Sequence, residues 1–111
     1  MKALKAPDIN VDSMREAAME ASAMLRSLAN PDRLLLLCQI SLGEIAVGEL
    51  EETLEIFQPT LSQQLGVLRK ENLVTTRRDG KQIYYAISDP KVLVLIGTVY
   101  GLYCTKRRGQ K

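Results

Sequence analysis

The sequence has 111 residues and a formal net charge of +2, with two cysteines and no histidine. One domain is expected at this length, and the 46% hydrophobic content supplies a core without structural disulfides. The lack of histidine excludes Ser-His and Cys-His catalytic arrangements and every zinc site with an imidazole ligand. Two cysteines cannot complete a tetrahedral thiolate site. These absences argue against most classes of enzyme.

The N-terminal sequence does not have the pattern of a secretory signal, because Pro7, Asp8, Asn10 and Asp12 interrupt any apolar stretch. The longest apolar stretch, residues 92–104, is shorter than the ~20 residues that span a bilayer. We therefore expect a cytoplasmic protein without a membrane partner. In a reducing cytosol its cysteines are free thiols.

Charged residues are unevenly distributed along the chain. Residues 43–57 carry five glutamates and no basic residue, whereas residues 58–85 have a net charge of +3 and residues 106–111 add +4. Such segregation is typical of a local anion-binding surface. On charge alone, an ordinary solvated surface is the alternative.

Two helices are predicted in the first third of the chain. The first has its N-cap at Asp12 or Ser13, and its apolar residues recur at helical spacing up to residue 28. The second starts at Asn30-Pro31 and ends before Gly43. Its run of four leucines predicts burial on most sides.

Two more helices, a hairpin and a last helix follow. Residues 47–54 place apolar side chains on one face, and the next helix starts at Gln58-Pro59 and ends near Asn72. Asp79-Gly80, between β-branched and aromatic residues, is a strong hairpin signal. The final helix starts at residue 90 and runs to about residue 104, with more apolar surface than a lone helix buries.

This order of elements, α-α-α-α-β-β-α, predicts a mainly helical fold with a β-hairpin wing, the winged helix-turn-helix. The domain is expected at residues 12–105, between a flexible N-terminal segment at 1–11 and a flexible basic tail at 106–111. In this fold residues 47–54 form a supporting helix, and the helix at residues 59–71 enters the major groove of DNA.

The outer side chains of that helix and of the hairpin tip are suited to double-stranded DNA. Amides and hydroxyls hydrogen-bond base edges and phosphates, and a basic tip reaches the adjacent backbone or minor groove. The candidate DNA-binding residues are Gln58, Thr60, Ser62, Gln63, Gln64, Arg69, Arg77, Arg78 and Lys81. Each alone is also typical of a solvated surface, but the ordered set favours DNA binding.

Four segments resemble the ArsR/SmtB family of bacterial winged-helix repressors: LANPDRLLLL, VGELEETL, QPTLSQQLGVLRKENLV and RRDGKQIYYAI. The resemblance covers residues 20–104. It implies a homodimer joined through the first and last helices, which binds an operator of dyad symmetry with half-sites about 10 base pairs apart. Gly97 and Gly101 have the spacing of a close helix contact, although in a soluble helix this spacing is often incidental.

The chain lacks the residues of the metal sites that are common in this family. Many of its metal sensors carry ELCVCDL where this chain reads EIAVGEL, so Ala46 and Gly48 occupy the two cysteine positions. The other common site uses histidine from the last helix. We therefore expect no metal and no other cofactor, because soft and borderline metals prefer thiolate or imidazole ligands.

Cys38 and Cys104 resemble the thiols of the persulfide-sensing subgroup of the family, which includes BigR, SqrR and HlyU-like regulators. The resemblance implies that reactive sulfur species bridge the two within one subunit, which releases operator DNA and derepresses sulfide-detoxification genes. Without the resemblance, Cys38 is read as a small buried hydrophobe and Cys104 as an incidental thiol. Basic residues at 106–108 favour a thiolate at Cys104, so we expect it to react first.

Other functions remain open on the sequence. A HlyU-like antirepressor or activator of virulence genes, or a peroxide-responsive thiol regulator, would have the same fold. A thiol oxidoreductase is disfavoured because the chain has no Cys-x-x-Cys motif. A protein-interaction module without DNA binding is a further alternative. The operator, the oxidant and the number of sulfur atoms in a bridge are not given by the sequence.

Overall fold

Five α-helices and three β-strands make up the part of the chain that the computed structural model describes, residues 10–105. In chain order they are α1 (Val11–Leu28), α2 (Pro31–Ser41), β1 (Ile45–Ala46), α3 (Val47–Leu54), α4 (Thr60–Lys70), β2 (Val74–Asp79), β3 (Gln82–Ile87) and α5 (Pro90–Val99), followed by a π-helical segment, Tyr100–Thr105. The predicted winged helix-turn-helix is confirmed. Residues 1–9 of the expected N-terminal segment and the expected tail at 106–111 lie outside the described residues.

Asparagine side chains start the first two helices. Asn30 Oδ1 accepts a hydrogen bond from the Arg33 backbone N–H at 3.0 Å, with Pro31 in the first turn, as predicted. The N-cap of α1 is Asn10, which accepts from the Ser13 N–H at 2.7 Å. The prediction of Asp12 or Ser13 was wrong, because Asn10 supplies the capping oxygen before them. Helix α1 therefore begins at Val11, inside the segment that was expected to precede the domain.

Helix α2 lies at the centre of the hydrophobic core. It packs against α1, α3, α4, α5 and β3, and its residues Leu36, Leu37 and Ile40 are at most 1% exposed. Leu35, on the remaining side, is 45% exposed. The predicted burial on most sides is therefore confirmed, and Leu35 marks an exposed side because consecutive helical residues point in different directions.

The hairpin belongs to an antiparallel sheet of three strands in the order β1-β3-β2. Strand β3 is central, and its buried Tyr85 lies opposite both Ile45 of β1 and Thr76 of β2. Strand β1 was missed from the sequence because two residues are too short to show a strand period. This short strand follows α2 in the chain and pairs with β3, so it links the wing to the segment after α2.

Two helix ends differ from the sequence prediction. Helix α4 occupies Thr60–Lys70, one residue shorter at each end than the expected 59–71. The last helix is regular only to Val99, after which the chain becomes π-helical through residue 105. Asn72 takes the predicted left-handed conformation, with φ 63°.

The outer faces of α1 and α5 expose apolar side chains over a long surface. These side chains include Val11, Met14, Met19, Leu25, Leu93 and Val94. A groove of about 500 Å³ runs between the two helices and is lined by Met24, Leu25, Val94 and Leu95 among others. Within residues 10–105 no helix is long and apolar enough to cross a membrane.

Candidate DNA-binding surface and thiol pair

Helix α4 is anchored by one apolar face and presents the opposite face to solvent. Leu61, Leu65 and Leu68 are at most 3% exposed in the core, as their spacing predicts. On the other face Ser62, Gln63 and Arg69 are exposed, and Thr60 and Gln64 are half-buried. Five predicted DNA-binding residues thus lie together on this accessible helix.

Gln58 has a structural role that the sequence analysis missed. Its Oε1 accepts a hydrogen bond from the Ser62 backbone N–H at 3.1 Å. The N-cap position itself is Pro59, which makes no capping hydrogen bond through its side chain, so Gln58 serves the first turn of α4 instead. Gln58 is exposed beside the candidate surface, but its carbonyl oxygen is engaged within the protein.

Gln64 is also held from within the protein. Arg33 Nη1, on α2, donates to Gln64 Oε1 at 2.9 Å. Arg33 was not among the candidate residues, and 31 positions separate the two side chains in the sequence. No local pattern indicates such a contact, since it depends on how α2 packs against α4.

Arg77 ties the middle of the wing to the segment before β1. Its Nε and Nη2 donate to the two carboxylate oxygens of Glu44 at 2.8 and 2.9 Å, a bidentate pair. Its Cζ also lies 4.5 Å from the centroid of the Tyr84 ring, a cation–π contact. Arg78 and Lys81 are exposed at the hairpin tip. Arg77, predicted as a DNA contact, is therefore oriented by the protein, whereas its neighbour faces solvent.

The Glu44–Arg77 pair changes the ionisation of both groups. The hydrogen bond from Arg77, with its charge, lowers the pKa of Glu44 against a smaller opposing effect of desolvation. The same hydrogen bond raises the pKa of Arg77. Both side chains are solvent-accessible, so the pair orients the wing more than it stabilises the fold.

The two cysteines lie on different elements, Cys38 on α2 and Cys104 after α5. Cys38 is half-buried in α2 against the core, and Cys104 is exposed in the π-helical segment after α5. Burial raises the pKa of the Cys38 thiol, and the charge of Cys104 raises it further. The two thiols are therefore within electrostatic reach of each other.

A cavity of about 340 Å³ borders Cys38 between the end of α2 and α5, and Leu42, Ile96 and Tyr100 line it with others. Small reagents can approach Cys38 through this opening. The basic residues at 106–108, expected to favour the Cys104 thiolate, lie outside the described residues. Among residues 10–105, no three His, Cys, Asp or Glu side chains form a group that could hold a metal ion.

Comparison with known proteins decides the family. The family described as "Bacterial regulatory protein, arsR family" matches residues 30–76, which include α2, α3 and α4. The biofilm growth-associated repressor of Agrobacterium fabrum is 47% identical over 103 residues, covering 93% of this chain and 88% of the relative. The chain belongs to the ArsR family.

Two further relatives cover nearly the same length of this regulator. The transcriptional activator HlyU of Vibrio cholerae is 36% identical and covers 94% of this chain and 96% of its own. The crystal structure of the transcriptional repressor BigR from Xylella fastidiosa is 43% identical with a TM-score of 0.79, over 87% of this chain and 96% of that one. The regulator is a DNA-binding transcription factor and not an enzyme.

Replacing Arg77 by glutamine is expected to bring the pKa of Glu44 back toward its ordinary value of 4.5. Because this pKa is lowered in the folded regulator, the ion pair stabilises the fold above the ordinary carboxyl pKa, and this contribution is lost as pH falls through the lowered pKa. Carbon NMR titration of the Glu44 carboxyl measures the shift. Arg78→Gln is the matched control and leaves the pKa lowered; an unchanged pKa in Arg77→Gln would contradict the pairing.

At neutral pH an alkylating reagent such as iodoacetamide is expected to modify Cys104 before Cys38, because Cys104 is exposed and the Cys38 thiolate is disfavoured. In Cys104→Ser, the midpoint of the pH dependence of Cys38 alkylation shifts to lower pH, since one negative charge is removed. It stays above 9.0 because burial remains. Mass spectrometry of peptides follows both rates.

The matched control for this shift is Tyr103→Phe, which alters the residue beside Cys104 without removing a thiol. It should leave the Cys38 midpoint unchanged. Faster alkylation of Cys38 than of Cys104 in the native regulator, or a midpoint in Cys104→Ser equal to that of the native chain, would refute the electrostatic coupling.

Proposed function

We propose that this regulator is a homodimeric repressor that binds operator DNA while Cys38 and Cys104 are reduced and releases it when reactive sulfur species bridge them. Release derepresses genes for sulfide detoxification. The observation that carries the proposal is the thiol pair itself: half-buried Cys38 on α2 lies within electrostatic reach of exposed Cys104 at the end of the last helix.

Helix α4 is proposed to enter the major groove. Its accessible polar side chains and the two free-standing cations of the wing tip make the direct contacts: Thr60, Ser62, Gln63, Gln64, Arg69, Arg78 and Lys81. Gln58 and Arg77 act mainly by orientation, since Gln58 caps α4 and Arg77 is bound to Glu44. Base contacts then come from α4, and phosphate contacts from the cations.

The exposed apolar surfaces of α1 and α5 are proposed to join two copies about a two-fold axis. At Gly97 and Gly101 an added Cβ would meet no atom of the described residues within 4 Å, its chain neighbours and the nearby helix backbone aside, so a second helix can approach the backbone there. The two recognition helices, related by the two-fold axis, then bind an operator of dyad symmetry with half-sites about 10 base pairs apart.

The sulfur chemistry begins at the exposed thiol. The Cys104 thiolate attacks one sulfur of hydrogen disulfide (HSSH), the S–S bond breaks, and a Cys104 persulfide forms as hydrosulfide leaves. The Cys38 thiolate then attacks the Cys104 sulfur and displaces a second hydrosulfide. Two thiols are oxidised by two electrons, and HSSH is reduced to two molecules of hydrogen sulfide. An additional sulfur in the bridge requires a further equivalent of the oxidant, which releases one more hydrogen sulfide.

The bridge ties α2 to the end of the last helix, and this connection supplies the route to DNA. Helix α2 packs against α4 and α5, so a covalent tie to residue 104 biases the position of the recognition helix relative to the dimer axis. Both recognition helices of the dimer must bind their half-sites at once. A small rotation of each recognition helix relative to the dimer axis misaligns them and therefore lowers DNA affinity.

The relatives support two directions of regulation. The Agrobacterium fabrum relative is named a repressor, which supports the leading proposal. The Vibrio cholerae relative is named an activator, which supports the second candidate, an activator or antirepressor with the same fold. A thiol pair that responds to peroxide is the remaining alternative, because peroxide also oxidises two thiols to a disulfide, with release of two waters.

Treatment of the reduced dimer with polysulfide is expected to lower its affinity for a duplex that the reduced protein has selected from a random pool. Intact mass spectrometry should show the loss of two hydrogens, together with a gain of whole sulfur atoms where the bridge contains them. In Cys38→Ser and in Cys104→Ser, the same treatment should leave duplex affinity unchanged. Fluorescence anisotropy measures the affinity.

Parallel treatments with hydrogen peroxide and with glutathione disulfide identify the oxidant. Release by polysulfide alone supports sulfur sensing, whereas equal release by peroxide supports the peroxide-responsive alternative. Duplex binding that persists in every oxidised form would overturn the proposed mechanism.

Removing one wing cation is expected to weaken duplex binding for all sequences alike. For Arg78→Ala, the slope of log K against log salt concentration should become shallower by about one for each phosphate that is no longer neutralised. Arg15→Ala, an exposed cation on α1, is the control and leaves the slope unchanged. An unaltered slope in Arg78→Ala would show that this side chain does not neutralise a phosphate.

A further inference from the structure

Arg33 connects three separate parts of the fold through one guanidinium group. Its Nε donates to the Ser27 carbonyl at 2.6 Å and its Nη2 to the Arg26 carbonyl at 3.3 Å. Its Nη1 donates to Gln64 Oε1 at 2.9 Å. Each of the three nitrogens is therefore engaged, two by the end of α1 and one by the outer face of α4.

The contact determines which way the Gln64 amide points. A guanidinium has donors and no acceptor, so it can meet only the oxygen of a glutamine amide. With one lone pair of Oε1 taken by Arg33 and the oxygen turned toward a cation, the two N–H groups of Nε2 are the main hydrogen-bonding groups that Gln64 presents outward. The half-buried position of Gln64 on the accessible face of α4 allows that nitrogen to reach a ligand.

The guanidinium is itself held in place by α1. The last carbonyls of a helix have no partner within the helix and carry a negative partial charge, which favours a bound cation. Ser27 is 7% exposed and Arg33 is half-buried, so the hydrogen bond between them is partly shielded from water, whereas the longer one to Arg26 is exposed. Arg33 is thus a stationary donor, and Gln64 adjusts to it.

We infer that Arg33 is a positioning residue that sets base selectivity by presenting Gln64 to DNA as a hydrogen-bond donor. This inference rests on the proposed insertion of α4 into the major groove. The amide N–H groups then match the two adjacent acceptors of guanine, O6 and N7. The bidentate contact of glutamine with adenine requires Oε1 to accept from N6, and Arg33 competes for that oxygen.

The test is selection of duplexes from a pool of random sequence by the full-length protein, followed by sequencing. Gln64→Ala should flatten the preference at one base pair of each half-site. Arg33→Ala should change the preference at that same base pair, lowering the ratio of duplexes with a G·C pair to duplexes with an A·T pair about tenfold, which corresponds to one good base contact. Other positions keep their preferences. In a Gln64→Ala background, Arg33→Ala should change nothing at that base pair.

Two further variants separate positioning from folding. Arg33→Lys retains a cation for the α1 carbonyls, but its ammonium lacks the planar fork that joins three partners. This variant should therefore show the same altered base preference as Arg33→Ala, and it serves as the test if Arg33→Ala fails to fold. Arg26→Ala removes a neighbouring cation but keeps the backbone carbonyl, and it should select as the native protein does.

The outcomes distinguish the inference from the function on which it rests. If the native protein selects no sequence, the proposed insertion of α4 into the major groove is overturned. If it selects one and the Arg33 variants select it unchanged, or if they weaken every position equally, Arg33 does not position Gln64 for reading. A Gln64→Ala protein with native preferences likewise overturns the inference.

Discussion

The packing of α2 in the middle of the core is the constraint on which the other features of the regulator depend. Leu36, Leu37 and Ile40 are fully removed from water, and burial of side chains of this size stabilises by roughly 1.5–3 kcal/mol each. Because this inner face is held by four helices and a strand, the remaining faces of α2 have defined positions. Arg33 and Cys38 lie on those faces and so have fixed neighbours.

The candidate DNA-binding surface combines exposed side chains with side chains that the protein already holds. Ser62, Gln63, Arg78 and Lys81 are exposed, whereas Gln64 is hydrogen-bonded by Arg33 and Arg77 by Glu44. A side chain held in one orientation loses less conformational entropy on binding. The internal hydrogen bonds thus restrict Gln64 on the recognition helix and Arg77 on the wing, each to one orientation.

The thiol pair has opposite properties at its two ends. Cys38 is protected by burial, which raises its pKa, while Cys104 is open to solvent. The exposed thiol is suited to attack the oxidant first, and the partly protected thiol is suited to attack the resulting persulfide in a second step. Cys38 belongs to α2, and Cys104 lies in the segment that follows α5, a helix that packs against α2. Under the proposed function, a bridge between the two would therefore act on the central helix of the core.

The sequence by itself determined the order of the elements, most of their boundaries and the separation of the chain into a recognition helix and a wing. These features follow from interactions between near neighbours: Asn30 caps the helix that Pro31 begins, Asp79-Gly80 permits a tight turn, and leucines at helical spacing bury one face of α4. The sequence did not reveal β1, because two residues are too few to show a strand period, or the cap by Asn10, because Asp12 and Ser13 are competing cap candidates. It also did not reveal the π-helical end of the last helix.

Only the tertiary structure decided which polar residues are free and which are held. Arg33 meets Gln64 across 31 positions and Arg77 meets Glu44 across 33, and no pattern within a few residues carries that information. The reason is physical: hydrogen bonds between distant side chains form only after apolar burial has brought their helices and strands together. For the same reason the proximity of Cys38 to Cys104 comes from the packing of α2 against α5.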